Sequence, residues 1–175
     1  MSNTLFVPLV CPTCGNDLAG RASDVVALCN RCHRAWRCDR DALLEIEARH
    51  VVATTAEPTL WLPVWSDGAV AAPAFLSTRP LMLARLLSRA ASSWPQRETL
   101  GGALPLGARL LPESLVGFSR VADLPEPTGR IALLAIPARS DGVRVWLPGE
   151  TFSLYGDDVV ERAELLNAVA VKSAR

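Results

Sequence analysis

Hydrophobic and polar positions along the chain fall into short strand-length runs and about three stretches that read as helix. Phe6–Val10, Val25–Leu28 and Ala35–Arg37 read as strands, entering the first cysteine pair, entering the second and leaving it. From Ala42 to Val52, Leu44, Ile46, Ala48, His50 and Val52 share one face, which predicts a single strand. Leu60–Trp65 follows, with Pro63 predicting an edge or bulged strand, and the turn Ser66-Asp67-Gly68 leads to a hairpin partner over Ala69–Leu76. The period then changes. Thr78 is placed to cap a helix with Pro80 in its first turn, running to about Trp94 and burying Leu83, Leu86, Leu87, Ala90 and Trp94. Pro112–Leu124 predicts a second helix. Ile131–Ala138 and Val143–Leu147 predict a hairpin around Ser140-Asp141-Gly142, and Thr151–Tyr155 a further strand. A last helix, capped by Asp157 or Asp158, is expected through about Val169.

Half of the 175 residues are hydrophobic and 21% are charged, a balance that predicts a folded chain rather than a disordered one. No apolar run reaches the ~20 residues needed to span a bilayer, and the N-terminus lacks the pattern of a secretory signal, so a cytoplasmic protein is expected. Eighteen basic residues balance eighteen acidic ones, which argues against a chain-wide nucleic-acid footprint.

Cysteine usage changes the picture most. All five cysteines lie in the first 38 residues, a crowding that points to a local metal centre rather than a disulfide scaffold. Cys11-Pro-Thr-Cys14-Gly15 and Cys29-Asn-Arg-Cys32 form two C-x2-C hooks with fourteen residues between them. Cysteines three apart in a tight turn can aim both sulfurs at one ion, and two hooks brought together by a hairpin supply four thiolates. Gly15 permits the backbone conformation that closes the first turn.

These residues resemble the zinc ribbon superfamily in its four-cysteine form, over about residues 5–40. The resemblance implies one structural Zn2+ held by Cys11, Cys14, Cys29 and Cys32. A second resemblance rests on Leu62-Pro63-Val64-Trp65, similar to an LPFW-like strand that follows an N-terminal zinc ribbon in a group of poorly characterised bacterial proteins; Val64 departs from that pattern, and the group implies no activity. The expected fold class is therefore α+β: a zinc ribbon over residues 1–41, then a mixed α+β domain over 42–175 with antiparallel hairpins and about three helices.

Four thiolates close a metal's coordination shell, whereas a catalytic zinc keeps a position open, and with only His33 and His50 in the chain no catalytic constellation emerges. Cys38 reads as a small half-buried residue and His50 as structural. Tyr155-Gly156-Asp157-Asp158 matches a polymerase metal motif by chance, being a turn and a helix cap. The expected function is a non-catalytic adaptor or accessory subunit of a protein complex with a protein partner, its five tryptophans serving either an interface or the core. Two alternatives stand beside it. In a nucleic-acid-binding ribbon, Arg31, Arg34 and Arg37 contact phosphate while Trp36 stacks on a base; the competing reading of these residues is arginines offsetting the thiolate charge and Trp36 covering the ribbon core. The other alternative is a redox or metal-sensing protein.

Overall fold

Residues 9–39, 42–53, 58–149 and 154–159 are described in a computed structural model, and two sheets organise them. The first holds β1 (Leu18–Ala19), β2 (Val26–Cys29), β3 (Ala35–Cys38) and β4 (Leu43–Ile46) in that order, each antiparallel to the next. The second is built around β9 (Ala132–Ser140). Along one edge of β9 runs β6 (Leu60–Ser66), antiparallel from Leu60↔Ala138 to Ser66↔Ala132. Along the other lie β5 (Ala48–Val51), parallel to it, and β10 (Arg144–Trp146), antiparallel. β7 (Ala71–Pro73), β8 (Gln96–Arg97) and β11 (Leu154–Tyr155) add to β6, β5 and β10 respectively.

Two prolines inside this sheet sit where the ladder does not need their missing N–H. Pro63 turns its carbonyl toward Ala74, 3.1 Å from that residue's nitrogen. Its own nitrogen therefore faces the same side, just beyond the Val64↔Pro73 pair where the β7 ladder ends. Pro137 in β9 falls in the gap between β5, which reaches Ala135, and β10, which begins opposite Arg139. The proline in β6 thus marks a ladder end within a strand paired on both sides, and not a sheet edge.

Every residue of β9 except Arg139 is buried, so both of its faces are covered. Leu134, Ile136 and Ala138 pack with Leu62 and Val64 of β6 and with the helix α1 (Pro80–Ala91) through Leu83 and Leu87. Leu133 and Ala135 on the opposite face pack with Trp65, Leu100 and Leu115, the last from the helix α2 (Ser114–Val121). Val26, Leu28 and Ala35 of the four-stranded sheet belong to this same second cluster.

The architecture corrects the α+β expectation. The fold is strand-rich and mostly antiparallel, and among the described residues only two helices exceed a single turn. The helix expected over Pro112–Leu124 shrinks to eight residues, because Asp123 takes a left-handed φ of 56° and ends it. Of the third helix, only the turn Gly156–Val159 is described; the remainder of that expectation lies outside the described residues, as does most of the strand expected over Phe6–Val10. The run Ala42–Val52 is two strands in different sheets. It breaks at Glu47, whose carbonyl accepts the Leu133 N–H at 2.9 Å and whose carboxylate receives the Arg49 guanidinium. Thr78 does not cap α1: the cap position is Arg79, and the Thr78 hydroxyl donates instead to the Asp158 carboxylate at 2.5 Å.

Asp67 fastens the β6–β7 turn to the chain entering β9. Its Oδ1 accepts the N–H groups of Ala69 (3.0 Å) and Val70 (2.9 Å), and its Oδ2 those of Thr128 (2.9 Å) and Gly129 (3.2 Å). Burial works against the charge, but these four donors outweigh it and hold the carboxyl below its ordinary value. A carboxylate pKa lower in the folded chain than the unfolded ~3.9 contributes stability that is complete above that value and lost as pH falls through the folded one. Asp67→Asn, which turns an amide N–H2 toward two donors, is expected to cost about 1–3 kcal/mol at pH 7. Urea unfolding should show this gap closing as the pH is lowered toward 3.

Candidate metal centre

Two turns of the same construction carry the cysteine hooks. In the first, the Cys11 N–H reaches the Asn16 carbonyl at 2.8 Å and the Gly15 N–H returns to the Cys11 carbonyl at 2.9 Å. In the second, Cys29 bonds Arg34 and His33 bonds Cys29, each at 2.9 Å and at the same offsets. Each turn closes through a left-handed residue after its second cysteine, Gly15 at φ 69° and His33 at φ 58°. The Cys32 N–H also points at the Cys29 sulfur, 3.4 Å away.

The hooks face each other. Sγ of Cys11 lies 3.5 Å from Sγ of Cys32, Sγ of Cys14 lies 3.5 Å from Sγ of Cys29, and all four sulfurs are within 4.8 Å of one another. A tetrahedron of ~2.3 Å zinc–sulfur bonds has edges of about 3.8 Å, so this donor set fits a zinc-sized ion with little adjustment. Cys11 and Cys29 are buried while Cys14 and Cys32 are half-exposed, so one side of the cage faces solvent. It is the only group of three or more such ligands within reach of one ion among the described residues. Bound there, a metal would supply charge compensation and a cross-link.

Without a metal the four thiols cannot all ionise. Burial opposes the charge on Cys11, but the backbone N–H groups of Cys14 and Thr13, with the thiols of Cys32 and Cys14, bring it down to about 6. Cys29 is lowered in the same way, against burial, by the N–H groups of Cys32 and Arg31 and by neighbouring thiols. Burial pushes Cys32 up to about 12; the Arg34 N–H opposes this and the other three cysteines reinforce it. At Cys14 the Asn16 N–H lowers the pKa, but burial and the thiols of Cys29 and Cys11 raise it above the ordinary value. A divalent cation reverses this logic, because a coordinating thiol gives up its proton.

The remaining sequence-derived positions separate clearly. Trp36 is only 6% exposed and packs with Cys11, Cys29 and Leu18 beside the cage, with no face open to a base. Arg34 pairs with Glu45 at 2.5 Å and Arg37 with Glu113 at 2.6 Å; Arg31 is exposed. The structure thus brings the four cysteines and Trp36 together and turns the two paired arginines to carboxylates of this chain. Cys38 is half-buried against the same cluster, and burial raises its thiol. His50 is structural: its Nδ1 meets the Thr99 carbonyl at 2.5 Å, and its ring stands edge-on to Trp61 at 6.0 Å. None of the five tryptophans is fully exposed, Trp65 being completely buried with Nε1 donating to the Leu110 carbonyl at 2.7 Å.

Sequence reasoning missed the seat of this centre on the second sheet. The Val25 N–H donates to the Ala108 carbonyl at 2.8 Å, and the Asp24 carboxylate lies 3.9 Å from the Arg109 guanidinium. Gly107 leaves room for Asp24, since a Cβ there would overlap the carboxylate. No local signal marks these partners, which are distant in the chain. No protein family, curated protein or solved structure matches the chain. No helix among the described residues is long and apolar enough to cross a membrane.

Two outcomes are expected. Metal uptake at pH 7 should release thiol protons, those of Cys14 and Cys32 among them, so affinity should fall on acidification by about tenfold per displaced proton per pH unit, read by calorimetric titration in buffers of different ionisation enthalpy. His33 holds a conformation that favours glycine, and its Nδ1 is buried with no hydrogen-bond partner. His33→Gly should therefore stabilise the loaded protein by about 0.5–1 kcal/mol in thermal or urea unfolding, whereas the β-branched His33→Val should destabilise it.

Proposed function

We propose that this chain is a non-catalytic zinc-holding adaptor or accessory subunit of a protein complex, working in a reducing, cytoplasmic setting, with the zinc structural. The observation that supports this reading is the four-sulfur cage. All four donors converge from two matched turns, so an ion held by them has no vacant position for water or substrate, and its work is to cross-link. A structural site of this type contributes ~10–16 kcal/mol of apparent binding free energy in small zinc modules, more than the ~5–15 kcal/mol net stability of a typical domain. The metal therefore decides whether the four-stranded sheet exists. Zinc is the favoured ion: a tetrahedral four-thiolate set suits zinc or iron, and a colourless metal would separate the two. A protein partner is favoured over nucleic acid, because Arg34 and Arg37 already face carboxylates and Trp36 is buried.

The test is purification of the full chain from its native host, with elemental analysis and light scattering. One zinc per chain and a stoichiometric protein partner, lost in Cys14→Ser, are the expected results. A loaded protein that stays monomeric without a partner, or that binds single-stranded nucleic acid with a steep salt dependence, would overturn the adaptor reading.

A further inference from the structure

Strand alternation gives the four-stranded sheet two different faces. Ala27 and Cys29 of β2, with Trp36 of β3, point to the sulfur cage. Their neighbours Val26, Leu28 and Ala35 point the other way, into the cluster that holds Leu133 and Ala135 of β9. Arg37 shares the parity of Ala35 and reaches across to Glu113, one residue before α2. One short stretch of chain thus carries metal ligands on one side and a cover for the second sheet on the other.

That cover is fitted to one segment in particular. Residues 103–108 lie beneath β2, with Ala103 and Ala108 almost fully buried and Leu104 packed alongside, while Leu106 packs against the cluster formed with α1. The backbone bond from Val25 to Ala108, the Asp24–Arg109 pair and the close approach of Gly107 to Asp24 all concentrate there. Both members of that ion pair are largely buried, at 5% and 13% side-chain exposure for Asp24 and Arg109. An ion pair withdrawn from water is costly to break, so it ties the residue two before β2 to the 103–109 segment. On the opposite face of β9, the cluster formed with α1 contains no residue of the four-stranded sheet.

We propose that the metal centre is a latch: metal occupancy keeps the four-stranded sheet closed over residues 100–115, and metal loss uncovers that apolar face while the half of the core beneath α1 stays folded. This rests on the metal-holding part of the function proposed above and extends it from holding the ribbon together to controlling a surface elsewhere in the chain. The occupants of that face in the loaded state are the chain's own residues 25–39 and 42–46. An apolar surface of this kind, opened on demand, makes the chain responsive to metal availability.

The experiment is hydrogen exchange on the full chain, loaded and after chelation under reducing conditions, with metal content and binding of a hydrophobic dye measured on the same samples. Chelation is expected to raise exchange at least tenfold over both 9–46 and 100–115 and to increase dye binding, while β6 and β9 change by less than about twofold. Exchange that rises only within 9–46, or that rises equally in β6 and β9, overturns the latch. Gly107→Ala tests the seat directly: it should keep one metal per chain yet show raised exchange over 100–115 while loaded. Asp24→Ala serves if that variant does not fold, and wild-type protection in either loaded variant also overturns the proposal. A preparation with no stoichiometric metal defeats the underlying reading, whereas a loaded one whose 100–115 protection survives chelation defeats the latch alone.

Discussion

A strand buried on both faces and paired on both edges has to be covered twice, and the rest of this fold follows from meeting that demand for β9. Eight of its nine residues are buried. One cover is α1, whose Leu83 and Leu87 come from a single helix a few residues beyond the β6–β7 hairpin. The other is assembled from remote pieces: α2, the irregular stretch 100–111 and one face of the four-stranded sheet. The first is a local solution; the second needs long-range closure, with its entropy cost, before any apolar contact is gained.

The small sheet can serve as a cover only because something else holds its shape. Its strands are two to four residues long, too little to be stable alone. Period-two alternation assigns one of its faces to the second sheet, which leaves only the other for a core of its own. Cys11, Cys29, Leu18, Ala27 and Trp36 make up the buried part of that core, and the sulfurs are its centre. A metal cross-link there would substitute for the hydrophobic mass that a sheet of this size lacks.

How far the sequence disclosed this depends on the range of each interaction. The hooks were legible because both cysteines of each pair, and the left-handed residue that closes each turn, lie within five positions. The Ser66-Asp67-Gly68 and Ser140-Asp141-Gly142 turns were legible for the same reason, with Asp67 and Asp141 bonding backbone N–H groups two and three residues on. The break at Glu47 was not. Alternation carries the same phase through a bend, so the pattern from Leu44 to Val52 is blind to a change of sheet. The parallel pairing of Ala48 with Leu133 and the docking of Asp24 on Gly107 and Arg109 were equally hidden, being made between segments with no shared local signal. Helix content was overestimated where apolar period alone was followed, at Pro112–Leu124, because a turn beginning at Pro112 and a left-handed Asp123 bound the segment more tightly than its leucines suggest.

Arginine shows how the same residues carry different meanings at the two levels. In the sequence, Arg31, Arg34 and Arg37 stand out as a basic cluster within a chain of zero net charge. In the fold, Arg34 answers Glu45 on the adjacent strand β4, and Arg37 answers Glu113 on the second sheet's side. Pairs as exposed as Arg34–Glu45 contribute little stability, about 0–1 kcal/mol, and are weakened further by salt. Asp24–Arg109 is different in kind, since both groups have left water. A buried pair of this sort adds less to overall stability than well-packed hydrophobic side chains would, but it penalises every misaligned arrangement of the two segments that carry it. What the charges contribute is therefore register: they fix where the small sheet sits on the large one.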